Sequence, residues 1–167
     1  MEASVKNIDI WCWKYLENTR NYPGLHLTAK DEACDILLEL IDKIAKEGDG
    51  RTRTIPLKPL SKEDEAKVSG GQKFESFQKL KISWHVPLEN LHNAAFIIEH
   101  NNVHFHLTEN FVGEIKKGLL DIKKGTGDYS IHPQFKGRKK DKTVGELDKQ
   151  SEDLWFWPCF GHYCVVE

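Results

Sequence analysis

The sequence contains no apolar run near the ~18 residues that a membrane-spanning helix needs. It has no excess of charge of one sign, since 24 Lys and Arg stand against 26 Asp and Glu for a net charge of -2. Bulk electrostatic attraction to nucleic acid is therefore not expected, although a local basic patch remains compatible with that balance. Residues Met1 to Asp9 lack the basic start and apolar centre of a signal peptide, so a cytoplasmic setting is expected. There are no internal repeats, no Gly-x-Ser-x-Gly elbow and no cysteine with a locally evident histidine partner, so nucleophilic catalysis leaves no sequence signature.

What is present is a chain of 167 residues, 39% hydrophobic and 30% charged. At roughly 150 residues per domain this is a single domain with a self-sufficient core. Its cysteines are Cys12, Cys34, Cys159 and Cys164. Without an export signal they are expected to be reduced thiols. The segment Cys159-Phe-Gly-His162-Tyr-Cys164 groups three soft ligands, but structural zinc normally draws on a second knuckle, and none is visible.

Hydrophobic spacing supplies the elements. Ile8, Ile10 and Cys12 alternate with Asp9, Trp11 and Trp13, which reads as a strand. After the Pro23-Gly24 turn, Thr28 is placed as the cap of a helix near 28–47 carrying Cys34, Leu37, Leu38, Ile41 and Ile44, with Gly48 as its stop. Arg51 to Leu57 reads as a short strand, and Ser61-Lys-Glu-Asp64 as a capping box opening a brief helix to about Val68. Leu80, Ile82, Trp84 and Val86 share one strand face, with Lys81, Ser83 and His85 on the other. Residues 94–100 and 103–108 form a hairpin about Asn101-Asn102. Thr108 is then placed as the cap of a second helix near 109–124, with Phe111, Val112, Ile115, Leu119 and Ile122 on its apolar side and Gly125 as its stop. Asp128 to Ile131 and Asp153 to Trp157 complete the strands. The expected fold is a single α+β domain, an antiparallel sheet with both long helices packed on one face. Its core is expected to hold Leu37, Ile41, Ile82, Trp84, Ile98, Phe105, Ile115 and Leu119.

Residues 133–152 are polar and read as a long loop. Lys136-Gly-Arg-Lys-Lys-Asp-Lys142 within it is basic, but no aromatic residues interleave with the charges, so a solvated loop is favoured over a nucleic-acid arm. Lys123-Lys-Gly-Thr-Gly-Asp128 looks like a phosphate cradle but leaves a helix C-terminus, the wrong end for anion binding.

Two constellations carry candidate function. In the hairpin, parity puts Phe96, Ile98, Val103, Phe105 and Leu107 on the core face and Glu99, His104 and His106 on the other, where His85 joins them if its strand is adjacent. Two or three imidazoles and a carboxylate are the donors of a divalent metal site. A solvated face with a Glu99–His104 cross-strand pair is the plainer alternative. The second constellation is aromatic: Trp155 and Trp157 share one face of their strand while Phe156 points into the core, and Trp11 and Trp13 repeat the same spacing. The four indoles suit either a binding surface or a second small core.

The motif Gly125-Thr-Gly-Asp-Tyr-Ser-Ile131 followed by Leu154-Trp-Phe-Trp157 resembles a pattern in a family of small uncharacterised bacterial proteins. Trp13-Lys-Tyr-Leu-Glu-Asn-Thr-Arg20 and His26-Leu-Thr28 fit the same pattern. The resemblance implies a bacterial, intracellular setting and no particular reaction. The leading functional expectation is a non-enzymatic interaction or ligand-binding module, without a cofactor, using Trp11, Trp13, Asp128, Tyr129, Trp155 and Trp157 toward a protein partner or a second copy of itself. The alternative is a metal-dependent enzyme of hydrolase type, with a divalent ion held by His85, Glu99, His104 and His106.

Overall fold

The computed structural model describes residues 8–17, 23–62, 73–85, 94–109, 111–125, 130–131 and 151–157. The elements in chain order are β1 (Ile10–Tyr15), β2 (Leu25–Ala29), α1 (Asp31–Glu47), β3 (Thr52–Pro56), β4 (Phe74–Ser76), β5 (Lys79–His85), β6 (Ala95–Glu99), β7 (Asn102–Thr108), α2 (Val112–Lys124), β8 (Ser130–Ile131) and β9 (Leu154–Phe156). The expected capping-box helix at 61–68 lies almost wholly outside the described residues. So do the basic loop, the Cys159 to Cys164 segment, and both Asp128 and Tyr129.

The chain is a single α+β domain, as its patterning implies, but its strands form two mixed sheets rather than one antiparallel sheet. A five-stranded sheet has the order β4-β1-β2-β9-β8, and a four-stranded sheet the order β3-β5-β7-β6. The pairs β2/β9 and β5/β7 are parallel and the remaining pairs antiparallel. Backbone bonds stitch the two sheets together. Phe77 N–H donates to Cys12 O at 3.0 Å, Lys58 N–H to Ile10 O at 2.8 Å, and Glu152 N–H to Phe96 O at 2.9 Å. Local alternation reports which face a residue occupies. It carries no information on which distant strand lies alongside, which is why the second sheet and the parallel pairs escape a sequence reading.

One apolar core joins both sheets to both helices. It takes Ile10, Cys12, Leu25 and Leu27 from the larger sheet, Leu80, Ile82, Trp84, Phe96, Val103 and Phe105 from the smaller, and Leu37, Ile41, Ile115 and Leu119 from the helices. Seven of the eight expected core residues are found there, and Ile98 is only partly buried against it. The helices pack side by side, with α1 against β5 and α2 against β9. The ion pairs Lys116–Asp42 at 2.6 Å and Lys123–Asp35 at 2.5 Å bridge their outer sides. Both helices stop at glycines of positive φ, Gly48 at 99° and Gly125 at 76°.

Three local expectations are corrected. Thr28 does not cap α1. It lies in β2, buried on both sides between β1 and β9, and its hydroxyl donates to Trp157 O at 2.7 Å. The helix begins at Asp31 after Lys30, with no side-chain cap bond and with Asp31 and Glu32 at the positive end of its dipole. Thr108 likewise does not cap α2. It ends β7 opposite His85, and its carbonyl accepts the N–H of Phe111 at 3.1 Å. The hairpin turns at His100-Asn101, one residue earlier than expected, with His100 at φ 56°. The two registers differ by an even step, so each strand keeps its faces.

Candidate functional site

The outward face of the four-stranded sheet gathers the polar residues that strand parity assigns to it. The parallel β5/β7 ladder pairs Lys81 with His104, Ser83 with His106 and His85 with Thr108. Strand β6 places Ile97, rather than the expected Glu99, directly opposite His104, and Glu99 opposite Asn102. Glu99 still reaches His104 diagonally, with its Oε1 3.3 Å from Nδ1. The rings of His104 and His106 lie 3.7 Å apart between centroids. Strand β5 is indeed the neighbour of β7, so His85 joins the group, its Nε2 3.0 Å from Nδ1 of His106.

One potential donor atom from each of Glu99, His104 and His106 lies within 4.8 Å of the other two. A tetrahedral ion with bonds of ~2.0–2.1 Å to nitrogen needs its donors roughly 3.4 Å apart, so modest side-chain rotation closes the difference. The other ring nitrogens are already engaged. His104 Nε2 lies 2.6 Å from Ser83 Oγ, which is itself 3.1 Å from Thr52 Oγ1. His106 Nδ1 faces His85. Hydrogen bonds on the far nitrogen fix ring orientation and tautomer in metal-ligating histidines.

The order Ser83–His104–Glu99 also matches a nucleophile, base and orienting carboxylate. Ser83, however, is buried in an interior strand and shares its hydroxyl with Thr52. We read the chain as support for the imidazole.

Electrostatics favour neutral rings. Burial is the main cause that pushes the His104 pKa below its ordinary value, and the nearby Lys81 and His85 act in the same direction against Glu99. His106 is pushed down to about 4, first by burial and then by the charges of His104 and His85. A neutral imidazole presents the lone pair that a metal requires.

The aromatic residues assemble on the outer face of the five-stranded sheet. Trp11, Trp13 and Tyr15 are buried there with Leu60, and Phe74 and Trp157 pack against them. Phe156 points the opposite way into the main core, as its spacing implies. Strands β1 and β9 are not neighbours, because β2 runs between them. His26 of β2, fully buried, therefore sits among the rings rather than the four indoles meeting as a single slab. It stacks on Trp13 at 5.6 Å and on Trp155 at 6.0 Å. Trp157 Nε1–H donates to His26 Nδ1 at 2.8 Å, which assigns that nitrogen as the acceptor. Trp155 Nε1–H donates to Pro23 O at 2.8 Å.

His26, Ser83 and Thr52 are the contributors that the sequence reading does not single out. The alternation Leu25-His26-Leu27-Thr28-Ala29 is the signal that marks β2 and places His26 on the indole side. Ser83 gives no local signal, since its role depends on β5 lying beside β7. No protein-family model, curated protein or solved structure matches the chain.

Proposed function

We propose that the chain is a divalent transition-metal protein, with Glu99, His104 and His106 as ligands and His85 and Ser83 holding the two rings. The observation that carries this reading is the convergence of three donor atoms within 4.8 Å on the ordered strands of one sheet face. A set of two nitrogens and one oxygen suits zinc, iron, cobalt or manganese better than calcium or magnesium, which prefer all-oxygen shells. Three protein donors leave coordination positions for water or a substrate, the layout of catalytic rather than structural sites. A zinc-type ion there would make bound water a usable nucleophile near neutral pH, so the reaction class is metal-assisted hydrolysis.

The test is metal analysis and titration with Zn2+ and Co2+ of protein purified without a histidine tag. One ion per chain is expected, with affinity reduced about 10-fold or more for His104→Ala and Glu99→Gln. Wild-type affinity no higher than that of a His104→Ala/His106→Ala double variant would refute the reading.

A second reading, association with a protein partner or a second copy through the aromatic cluster, is supported by the partial exposure of Trp155 and Trp157. It ranks second because Trp11, Trp13 and Tyr15 are buried and the indole N–H groups of Trp155 and Trp157 are bonded within the chain. Such a cluster serves as a second core whatever else it does. Trp157→Ala separates the possibilities. Weaker self-association in sedimentation with an unchanged melting temperature supports an interface, and a lower melting temperature alone supports a core. Among the described residues no helix is long and apolar enough to cross a membrane.

A further inference from the structure

The charges around the proposed ion do not balance. Among the described residues of the four strands of this face, Lys81 and Lys79 of β5 share the side of His104 and His106, and Glu99 is the one carboxylate there. Lys81 is the ladder partner of His104, and its ammonium acts electrostatically on both His104 and His106. Neutral imidazoles add no negative charge. A divalent ion on this face would leave the described charges with a marked positive excess, which a hydroxide in an open position offsets by only one charge.

Adjacent strands lie ~4.8 Å apart, so a lysine directly across from a ligand can reach a group bound to the same ion. A tetrahedral oxyanion meets both demands at once. One oxygen can occupy an open metal position while another accepts a charge-assisted bond from the ammonium. A planar carboxylate offers fewer oxygens for that division. The hydroxyl side chains of β3 extend the same surface, since Thr54 pairs with Lys81 and Thr52 with Ser83.

Resting on the metal reading, we propose that this face binds a phosphoryl group, bridged between an ion on Glu99, His104 and His106 and the ammonium of Lys81. The ligand class is inorganic phosphate or a phosphate monoester. Lys81 is a binding residue for the anion and not a metal ligand.

The experiment uses the cobalt-loaded chain, with inorganic phosphate, phenyl phosphate and acetate as probes, followed by calorimetry and by the cobalt absorption bands. Phosphate or phenyl phosphate should bind and shift the bands, and acetate should bind more weakly. Lys81→Met should weaken phosphate binding about 10-fold or more while leaving cobalt affinity unchanged, and Lys81→Arg should retain most of it. Stronger binding of phenyl phosphate than of phosphate identifies the monoester as the fitting form, and the reverse identifies the free ion. Cobalt binding without any phosphate response, equal acetate affinity, or an unaffected Lys81→Met variant would overturn the phosphoryl assignment and leave the metal site standing. Failure of the wild-type chain to bind cobalt would overturn both.

Discussion

Replacing Gly118 by alanine tests whether α2 rests on β9 as described. A methyl group built on Gly118 would fall 2.5 Å from Cε1 of Phe156 and closer still to Cε2 and Cζ. Carbon atoms normally pack ~3.5–4.0 Å apart, so either the helix retreats by ~1 Å or the ring turns. The ring has little room, because Phe156 is 1% exposed and enclosed by the main core. Overpacking of this kind costs ~1–3 kcal/mol. Alanine also gains ~0.8–1 kcal/mol over glycine in a helix interior, which opposes that cost. The net expectation is a destabilisation of ~1 kcal/mol. For a chain of this size that lowers the melting temperature by ~2–4 °C. Thermal and urea unfolding read it directly, with an unchanged urea slope showing that compactness is preserved. Gly118→Ala combined with Phe156→Leu should cost less than the two single changes added together, because the shorter side chain makes room for the methyl group. A Gly118→Ala variant more stable than wild type would show helix propensity acting alone, and α2 could not then be seated on Phe156.

In metal-free protein, acid should destabilise the fold. The His106 pKa is about 4 when folded against about 6.5 unfolded, so the unfolded chain binds the extra proton across that interval and stability rises with pH through it. Urea midpoints should fall as pH drops from 7 toward 4, and a His106→Gln variant with an equally steep dependence would contradict the assignment. Trp157→Phe keeps an aromatic ring, though a smaller one, and removes the donor to the buried His26 Nδ1, with an expected cost of ~1–3 kcal/mol in chemical unfolding; an unchanged midpoint would mean that the bond contributes nothing. Burial pushes the Cys12 thiol far above its ordinary pKa. Iodoacetamide at neutral pH should therefore leave Cys12 unmodified until denaturant is added, and rapid alkylation of the native chain, read by peptide mass spectrometry, would refute its burial.

Periodicity alone determines which side of each strand and helix meets the core. Ile10 and Cys12 against Trp11 and Trp13, Leu80 and Ile82 against Lys81 and Ser83, and Phe156 against Trp155 and Trp157 all fall as spacing dictates. A side-chain period of two survives even a misplaced turn, provided the shift is an even step, as the His100-Asn101 hairpin shows. The metal-type donors were legible for the same reason, since Glu99, His104 and His106 share the parity of one face. Pairing between distant strands was not legible. Whether β5 lies beside β7, bringing His85, Ser83 and Lys81 to the histidines, depends on chain segments far apart in sequence, and so does the insertion of β2 between β1 and β9 that puts His26 among the indoles. Such neighbours are selected by how all the apolar faces close around one core. That collective condition has no local signature, so only the tertiary structure decides it.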